Sequence, residues 1–342
     1  MTVDFAVAYA QGETPAIVFT GRTLIAFARG TPLVMSRSTD MGRSWDVPRA
    51  VPGVKAPSSN PAPVWVAASK TLLFLYGSQG EYFAAESTDE GVSFSAGRKI
   101  CSDCAIGGEL IRKRWGFQLP GPPGGIVAST GRLLQCCDHM HKVTSVCKSA
   151  GTPSDCDKGN HVLFSDDKGS TWKVGGLAAQ GPPAYGDECS IAQLPGRDVL
   201  VMNTRVDSNN NSLTPPGGGR ATAFSSDFGV TWGSAVPRPT LPDGTCGGDM
   251  IAHDGRDSSL GAGLFVSNVW GGCTGSQCHE FPGTRSNLTL SFSADGIAWE
   301  HVLHVWPGNA TYSSMVDIGR GKLGMLFDEG AHEKIVFATI QL

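Results

Sequence analysis

One short pattern recurs along the chain and restricts its fold more than any other feature. Ser38-Thr39-Asp40-Met41-Gly42-Arg43-Ser44-Trp45, Ser87-Thr88-Asp89-Glu90-Gly91-Val92-Ser93-Phe94, Ser165-Asp166-Asp167-Lys168-Gly169-Ser170-Thr171-Trp172 and Ser225-Ser226-Asp227-Phe228-Gly229-Val230-Thr231-Trp232 share the form S-x-D-x-G-x-[ST]-[WF]. Ser293-Ala294-Asp295-Gly296-Ile297-Ala298-Trp299 repeats it one residue shorter. An Asp carboxylate can accept backbone N–H bonds across such a turn, Gly supplies the positive φ, and the hydroxyls close a polar ring. The terminal aromatic re-enters a sheet and covers the turn from below. The pattern is a self-contained hairpin turn: it speaks for the fold and is silent on chemistry.

The five Asp residues lie 49, 78, 60 and 68 positions apart. A period of about 40–50 residues, one four-stranded sheet per repeat, marks a β-propeller, and longer gaps mean inserted loops. Six blades would share the 342 residues at 57 each. The expectation is therefore an all-β, six-bladed propeller with four antiparallel strands per blade, a single domain over residues 1–342, with five or seven blades left open. Five unrelated turns in a β-sandwich would not share Ser, Asp, Gly and a terminal aromatic. Composition agrees: 45 Gly, 21 Pro and only 17% charged residues accompany many short apolar runs that end in turn formers. That is the pattern of strands and turns. No apolar run reaches the roughly 18 residues of a membrane span.

A formal net charge of −4, with no basic stripe, argues against nucleic acid as a partner. An acidic small substrate would have to be held by a few local arginines. Ten cysteines and three N-x-[ST] sequons, at Asn210, Asn287 and Asn309, fit an oxidising compartment. Met1-Thr2-Val3-Asp4 has neither a basic n-region nor an apolar h-region. The expected location is secreted or lumenal with a trimmed start, and a cytosolic protein with free thiols is the alternative. Cys101-Ser102-Asp103-Cys104 has no second CxxC or His pair at ligand spacing, so it reads as a disulfide or free thiols, not a zinc site.

The repeat resembles the Asp box, and nearly the whole chain resembles the exo-α-sialidase (neuraminidase) family. Gly21-Arg22-Thr23-Leu24-Ile25-Ala26-Phe27-Ala28 is similar to the family's G-x-L-L-A-F-A strand, with one extra residue after the Gly. Asn60-Pro61-Ala62-Pro63-Val64 is similar to its N-P-x-P-V segment, and Gly124-Gly125-Ile126 with Gly131-Arg132-Leu133-Leu134 to its G-I…G-R-L-L pair. Asp187-Glu188-Cys189-Ser190 resembles the strand start that carries the catalytic Glu, and Met202-Asn203-Thr204-Arg205 the N-x-R that carries a substrate Arg. Arg285-Ser286-Asn287-Leu288-Thr289 resembles the R-x-N-L-T of the next Arg, and Thr311-Tyr312-Ser313-Ser314-Met315 the A-Y-S-S-L of the catalytic Tyr. The order Glu, Arg, Arg, Tyr is the family's order.

The resemblance implies a retaining glycoside hydrolase without cofactor or metal. Its substrates would be glycoconjugates bearing terminal sialic acid or a related nonulosonic or ulosonic acid. Tyr312 is then the nucleophile, Glu188 its base, and Arg205 and Arg285 the clamps on the substrate carboxylate. The residue types have a chemical reason. Arginine grips a carboxylate bidentately. A charged nucleophile would be repelled by that carboxylate, so a neutral Tyr whose proton passes to a nearby Glu is the better attacker. Sialidases are a known exception to the two-carboxylate scheme for this reason. Taken singly, Tyr312 reads as an ordinary sheet aromatic, the arginines as rim residues and Glu188 as a solvated strand end. Four matches in one order favour a site.

The first blade departs from the family. Where [FY]-R-I-P-A supplies a third Arg, Gly12-Glu13-Thr14-Pro15-Ala16 supplies Glu13, which would repel a substrate carboxylate. The loop that carries the acid/base Asp looks deleted, because Ala28-Arg29-Gly30 runs almost directly into Thr31-Pro32-Leu33-Val34. Arg29, on the same face as the start of the preceding strand, is the candidate replacement for the missing cation. Asp138, His139, His141 and Asp249 are candidate acids. The alternative reading is a catalytically degenerate propeller that binds acidic sugars or acts as an interaction scaffold.

Overall fold

Each Asp box joins the third and fourth strands of a four-stranded antiparallel unit. The computed structural model describes residues 1–141, 158–181, 184–206, 219–271, 285–330 and 332–342. Four units stand as separate sheets. The first is built on Glu13–Phe19, Leu24–Arg29, Val34–Ser38 and Arg49–Ala50, and the second on Ser59–Val66, Thr71–Ser78, Glu81–Ser87 and Arg98–Ile100. The third uses Trp115–Pro120, Leu133–His141, Lys158–Ser165 and Lys173–Ala178, and the fourth Ala184–Gln193, Leu200–Val206, Gly219–Ser225 and Val236–Pro242.

The remaining seven-stranded sheet is two such units fused through one 20-residue strand, Glu300–Gly319. As far as Asn309 that strand pairs with Ser286–Ser293, as the fourth strand of the fifth blade. From Ala310 it pairs with Lys322–Glu329, as the first strand of the sixth. The sixth blade is completed by Lys334–Gln341 and by the N-terminal strand Thr2–Tyr9, which runs antiparallel to it with Thr2 opposite Gln341. Its third and fourth strands are thus far apart in sequence and have no turn between them. Among the described residues, six units therefore carry five Asp boxes.

The ring is closed by apolar packing between neighbours. Phe27 stacks on Phe74 at 4.5 Å between the first and second blades. Leu75 and Leu163 share a cluster between the second and third, and Val162 and Met202 between the third and fourth. Val201 and Val266, Leu290 and Met325, and Ala26 and Phe337 do the same for the remaining three interfaces. Runs such as Leu24–Ala28 and Leu72–Tyr76 are apolar on both faces because a blade lies against each face.

The Asp-box turns are built as the pattern predicts. In the third blade Ser165 Oγ donates to Asp167 Oδ1 at 2.8 Å and accepts from Gly169 N–H at 2.8 Å. Thr171 donates its N–H and its hydroxyl to the two Asp167 oxygens, at 2.8 and 2.6 Å. Trp172 Nε1–H closes the turn on the Gly169 carbonyl at 3.0 Å. The hydroxyls of Ser44 and Thr171 are the main reason that the carboxyls of Asp40 and Asp167 are lowered to about 2. Lys168 and Gly169 both have positive φ, 60° and 92°, the backbone of a tight hairpin. A Cβ on Gly169 would lie 2.7 Å from Leu73 of the adjoining blade, so the position excludes side chains twice over.

Disulfides join Cys101 to Cys104 and Cys136 to Cys189, the second tying the third blade to the fourth. Cys137 and Cys246 are buried free thiols, while Cys147, Cys156, Cys273, Cys278 and the Asn210 sequon lie outside the described residues. Asn309 is exposed and Asn287 half-buried. No helix among the described residues is long and apolar enough to cross a membrane.

Candidate active site

The inner strands reach the end of the ring opposite the Asp boxes with the same irregularity. Their pairing slips between Glu13 and Ala16, Ser59 and Ala62, Gly186 and Cys189, and Ala310 and Ser313. A β-bulge re-aims side chains, and bulges gather at rims and active sites for that reason. Here they turn Glu188 and Tyr312 into one cavity of about 480 Å³, which Thr14, Arg29, Asp138 and His139 also line.

Tyr312 Oη donates to Glu188 Oε1 at 2.6 Å. Arg205 Nη1 donates to the other carboxylate oxygen, Oε2, at 2.5 Å. Arg285 holds its guanidinium 5.8 Å from the centre of the Tyr312 ring and donates from Nη2 to the Thr245 carbonyl at 3.0 Å. The structure thus brings together Glu188, Arg205, Arg285 and Tyr312, which are spread over more than a hundred residues of sequence. Burial, then the neighbouring Glu188 charge, pushes the Tyr312 phenol well above the usual tyrosine range. Tyr312 therefore rests as the phenol.

A loop behind the site is pinned by a fully buried arginine. Arg220 donates to Asn203 Oδ1 at 3.0 Å, to Asp243 Oδ2 at 2.8 Å and to the Cys246 carbonyl at 2.9 Å. The same loop supplies the Thr245 carbonyl to Arg285 and the Gly247 backbone to the flat of Tyr312, where a Cβ would come within 2.6 Å of Cδ1.

In the first blade the Glu13 carboxylate is met locally. Arg29, directly opposite it in the sheet, places Nε 3.2 Å from Oε1, and His332 Nε2 lies 3.5 Å from Oε2. His332 Nδ1 donates to the buried Asp328 at 3.2 Å. Neither His332 nor Asp328 stands out in the sequence, because no motif surrounds them.

The candidate acids separate clearly. Asp249 belongs elsewhere: it is buried on an inner strand and accepts from the Met315 N–H at 2.7 Å and from Ser314 Oγ at 3.2 Å. Burial raises its carboxyl to about 7, and the space beside it is the central channel, not the Tyr312 cavity. His139 lines the cavity with both ring nitrogens engaged. Gln180 uses its amide nitrogen on the Asn160 and Ala178 carbonyls, so its Oε1 must accept, at 3.1 Å, from His139 Nε2–H. That leaves His139 Nδ1 to accept from His161 Nδ1–H at 2.9 Å, and His161 Nε2 to accept from the Tyr82 hydroxyl at 2.8 Å. Its Nε2–H is thus committed to Gln180. Asp138 lines the cavity almost wholly buried, and burial followed by the charges of Asp187 and Glu188 raises its carboxyl well above the usual range. The side chain of His141 lies outside the described residues.

Residues 35–325 match the family of the BNR repeat-like domain. The chain belongs to the BNR-repeat sialidase family. A sialidase of Bacteroides fragilis (strain YCH46) is 27% identical over 347 residues, covering 90% of this chain and 56% of that relative. This sialidase-family chain therefore spans little more than half the length of that relative. A Hadza microbial sialidase superposes with a TM-score of 0.75 at 22% identity, over 97% of this chain and 66% of its own. Trypanosoma rangeli sialidase in complex with sialic acid gives 0.68 at 18% identity, over 96% and 54%. At such identities the structural likenesses establish the sialidase propeller fold.

Proposed function

We propose that the protein is a retaining exo-sialidase that releases terminal sialic acid, or a related nonulosonic or ulosonic acid, from glycoconjugates. The observation that carries this reading is the 2.6 Å hydrogen bond from Tyr312 to Glu188. In the first step Tyr312 Oη forms a bond to the anomeric carbon and its proton passes to Glu188, while the glycosidic bond breaks and the aglycone departs with the electron pair and takes a proton from solvent. In the second, water attacks the same carbon and gives up one proton to solvent, while Glu188 returns its proton to the departing Tyr312 oxygen. Arg205, bound to Glu188 Oε2, keeps the base aimed at Tyr312, and Arg285 offers a cation beside the nucleophile for the substrate carboxylate. Family membership supports the glycosidase class. An oxidising compartment belongs to the same proposal and is supported by the two disulfides.

The test is release of 4-methylumbelliferone from its sialic acid glycoside. That phenol is a good leaving group and needs little acid assistance. Native protein should turn it over, and Tyr312→Phe should lose about 10³-fold or more, as removal of a nucleophile does elsewhere. Native turnover no higher than that of Tyr312→Phe, across several nonulosonic acid glycosides, sinks the hydrolase reading.

A further inference from the structure

At the seam of the first and last blades one carboxylate is held from two sides. Glu13 has Oε1 against Arg29 and Oε2 against His332, and the three side chains are 33%, 51% and 37% exposed, in that order. A solute can reach all three. Arg29 lines the same cavity as Glu188 and Tyr312. His332 is fixed from behind. Asp328 accepts from its Nδ1, from Thr311 Oγ1 at 2.5 Å and from the Thr14 N–H at 3.1 Å. Thr311 immediately precedes Tyr312. An imidazole whose Nδ1–H is taken by a carboxylate presents its other nitrogen outward, here towards Glu13.

We propose that Arg29 and His332 form a carboxylate-binding site at the rim of the cavity, that Glu13 fills it in the free protein, and that the substrate's carboxylate displaces Glu13. The proposal rests on the acidic-sugar reading above. A carboxylate with one oxygen on a guanidinium and the other on an imidazolium has the charge-assisted contacts that such a ligand needs. Glu13 is a tethered competitor for the same two cations.

The charges around His332 set the sign of its pH dependence. Asp328 and Glu13 face it as anions, Arg29 lies beyond Glu13, and the Arg285 charge opposes its protonation. Glu333 and the Glu329–Lys334 ion pair share its turn. The hydrogen bond to Asp328 outweighs burial and raises its pKa above the ordinary value for His. Ligand capture is then complete below His332's own pKa and declines as pH rises through it.

Free N-acetylneuraminic acid, titrated calorimetrically into native protein, Glu13→Gln and His332→Ala, tests this, with thermal melts confirming that each is folded. Glu13→Gln should bind about 2- to 5-fold more tightly and His332→Ala about 2- to 5-fold more weakly, the scale of exposed charge contacts. Native affinity should fall between about pH 5.5 and about pH 8.5, and His332→Ala should lose that dependence. A merely structural cluster would move both variants in one direction. Binding seen in Glu13→Gln alone also supports the proposal. If the native protein binds but Glu13→Gln is no tighter, or His332→Ala is unchanged, the rim site is overturned and the acidic-sugar reading stands. If none of the three binds the acid, both fall.

Discussion

Replacing Arg220 by methionine removes the cation that Asp243 faces across 2.8 Å with both side chains fully buried. Deleting one partner of a buried ion pair destabilises by about 3–5 kcal/mol, because the other charge is left uncompensated. Unfolding entropy near 2.1 cal/mol/K per residue gives about 0.7 kcal/mol/K for 342 residues, so Tm should drop by about 4–7 °C. A second signature comes from pH. Burial already pushes the Asp243 carboxyl up, and Arg220 is the main influence pulling it down. Without Arg220 its folded pKa climbs further above the unfolded value. Such a group weakens the fold at high pH and does less harm as pH falls through the folded pKa. The Tm gap between variant and native should therefore be wide at about pH 8 and narrow towards about pH 5. Adding Asp243→Leu should recover most of the loss, since an apolar pair leaves no orphaned charge. Scanning calorimetry reads each of these quantities. A single variant within about 1 °C of native at high pH, or a gap that acid does not narrow, refutes the reasoning.

Gly247→Ala should push the Tyr312 ring off its seat, with kcat on an aryl sialoside falling about 10-fold or more while circular dichroism stays native. Native kcat in that variant would show that the loop does not set the ring. Asp167→Asn bears on the Asp box. The Asp167 carboxyl is held at about 2, below its unfolded value near 4, so its contribution is present above about pH 4 and lost as pH falls towards 2. The variant should melt earlier than native at neutral pH and lose less on acidification; parallel melting curves across that range would count against the turn chemistry.

Legibility in the sequence followed the range of the interaction. The Asp boxes were readable because each completes its hydrogen bonds within seven or eight residues, as Asp167 does with Ser165 and Thr171. Glu188, Arg205, Arg285 and Tyr312 could be found because each lies inside a recognisable segment. Arg29 was placed against the start of the preceding strand by antiparallel pairing, which sets it opposite Glu13. Asp249 misled because two glycines precede it, as in an exposed loop, whereas its carboxyl is turned towards the Met315 N–H of the sixth blade. His332 was invisible. Asp328 is only four residues from it, but Glu13 meets it only when Lys322–Glu329 and Glu13–Phe19 become neighbours through ring closure, and no local pattern records that. The fused sheet was hidden differently, since Pro307-Gly308-Asn309 reads as a turn between blades, whereas the chain runs through it as one strand.

That handover gives the ring a mechanical property. Tyr312 rides on the strand shared by the fifth and sixth blades, and Glu188 on the fourth, so their hydrogen bond is a chord across the hoop. A chord changes length when the hoop opens anywhere along its circumference. Loosened packing between the first and second blades, on the far side of the wheel, therefore bears on the Tyr312–Glu188 bond as well. This contact is thus a strain gauge for the whole circumference.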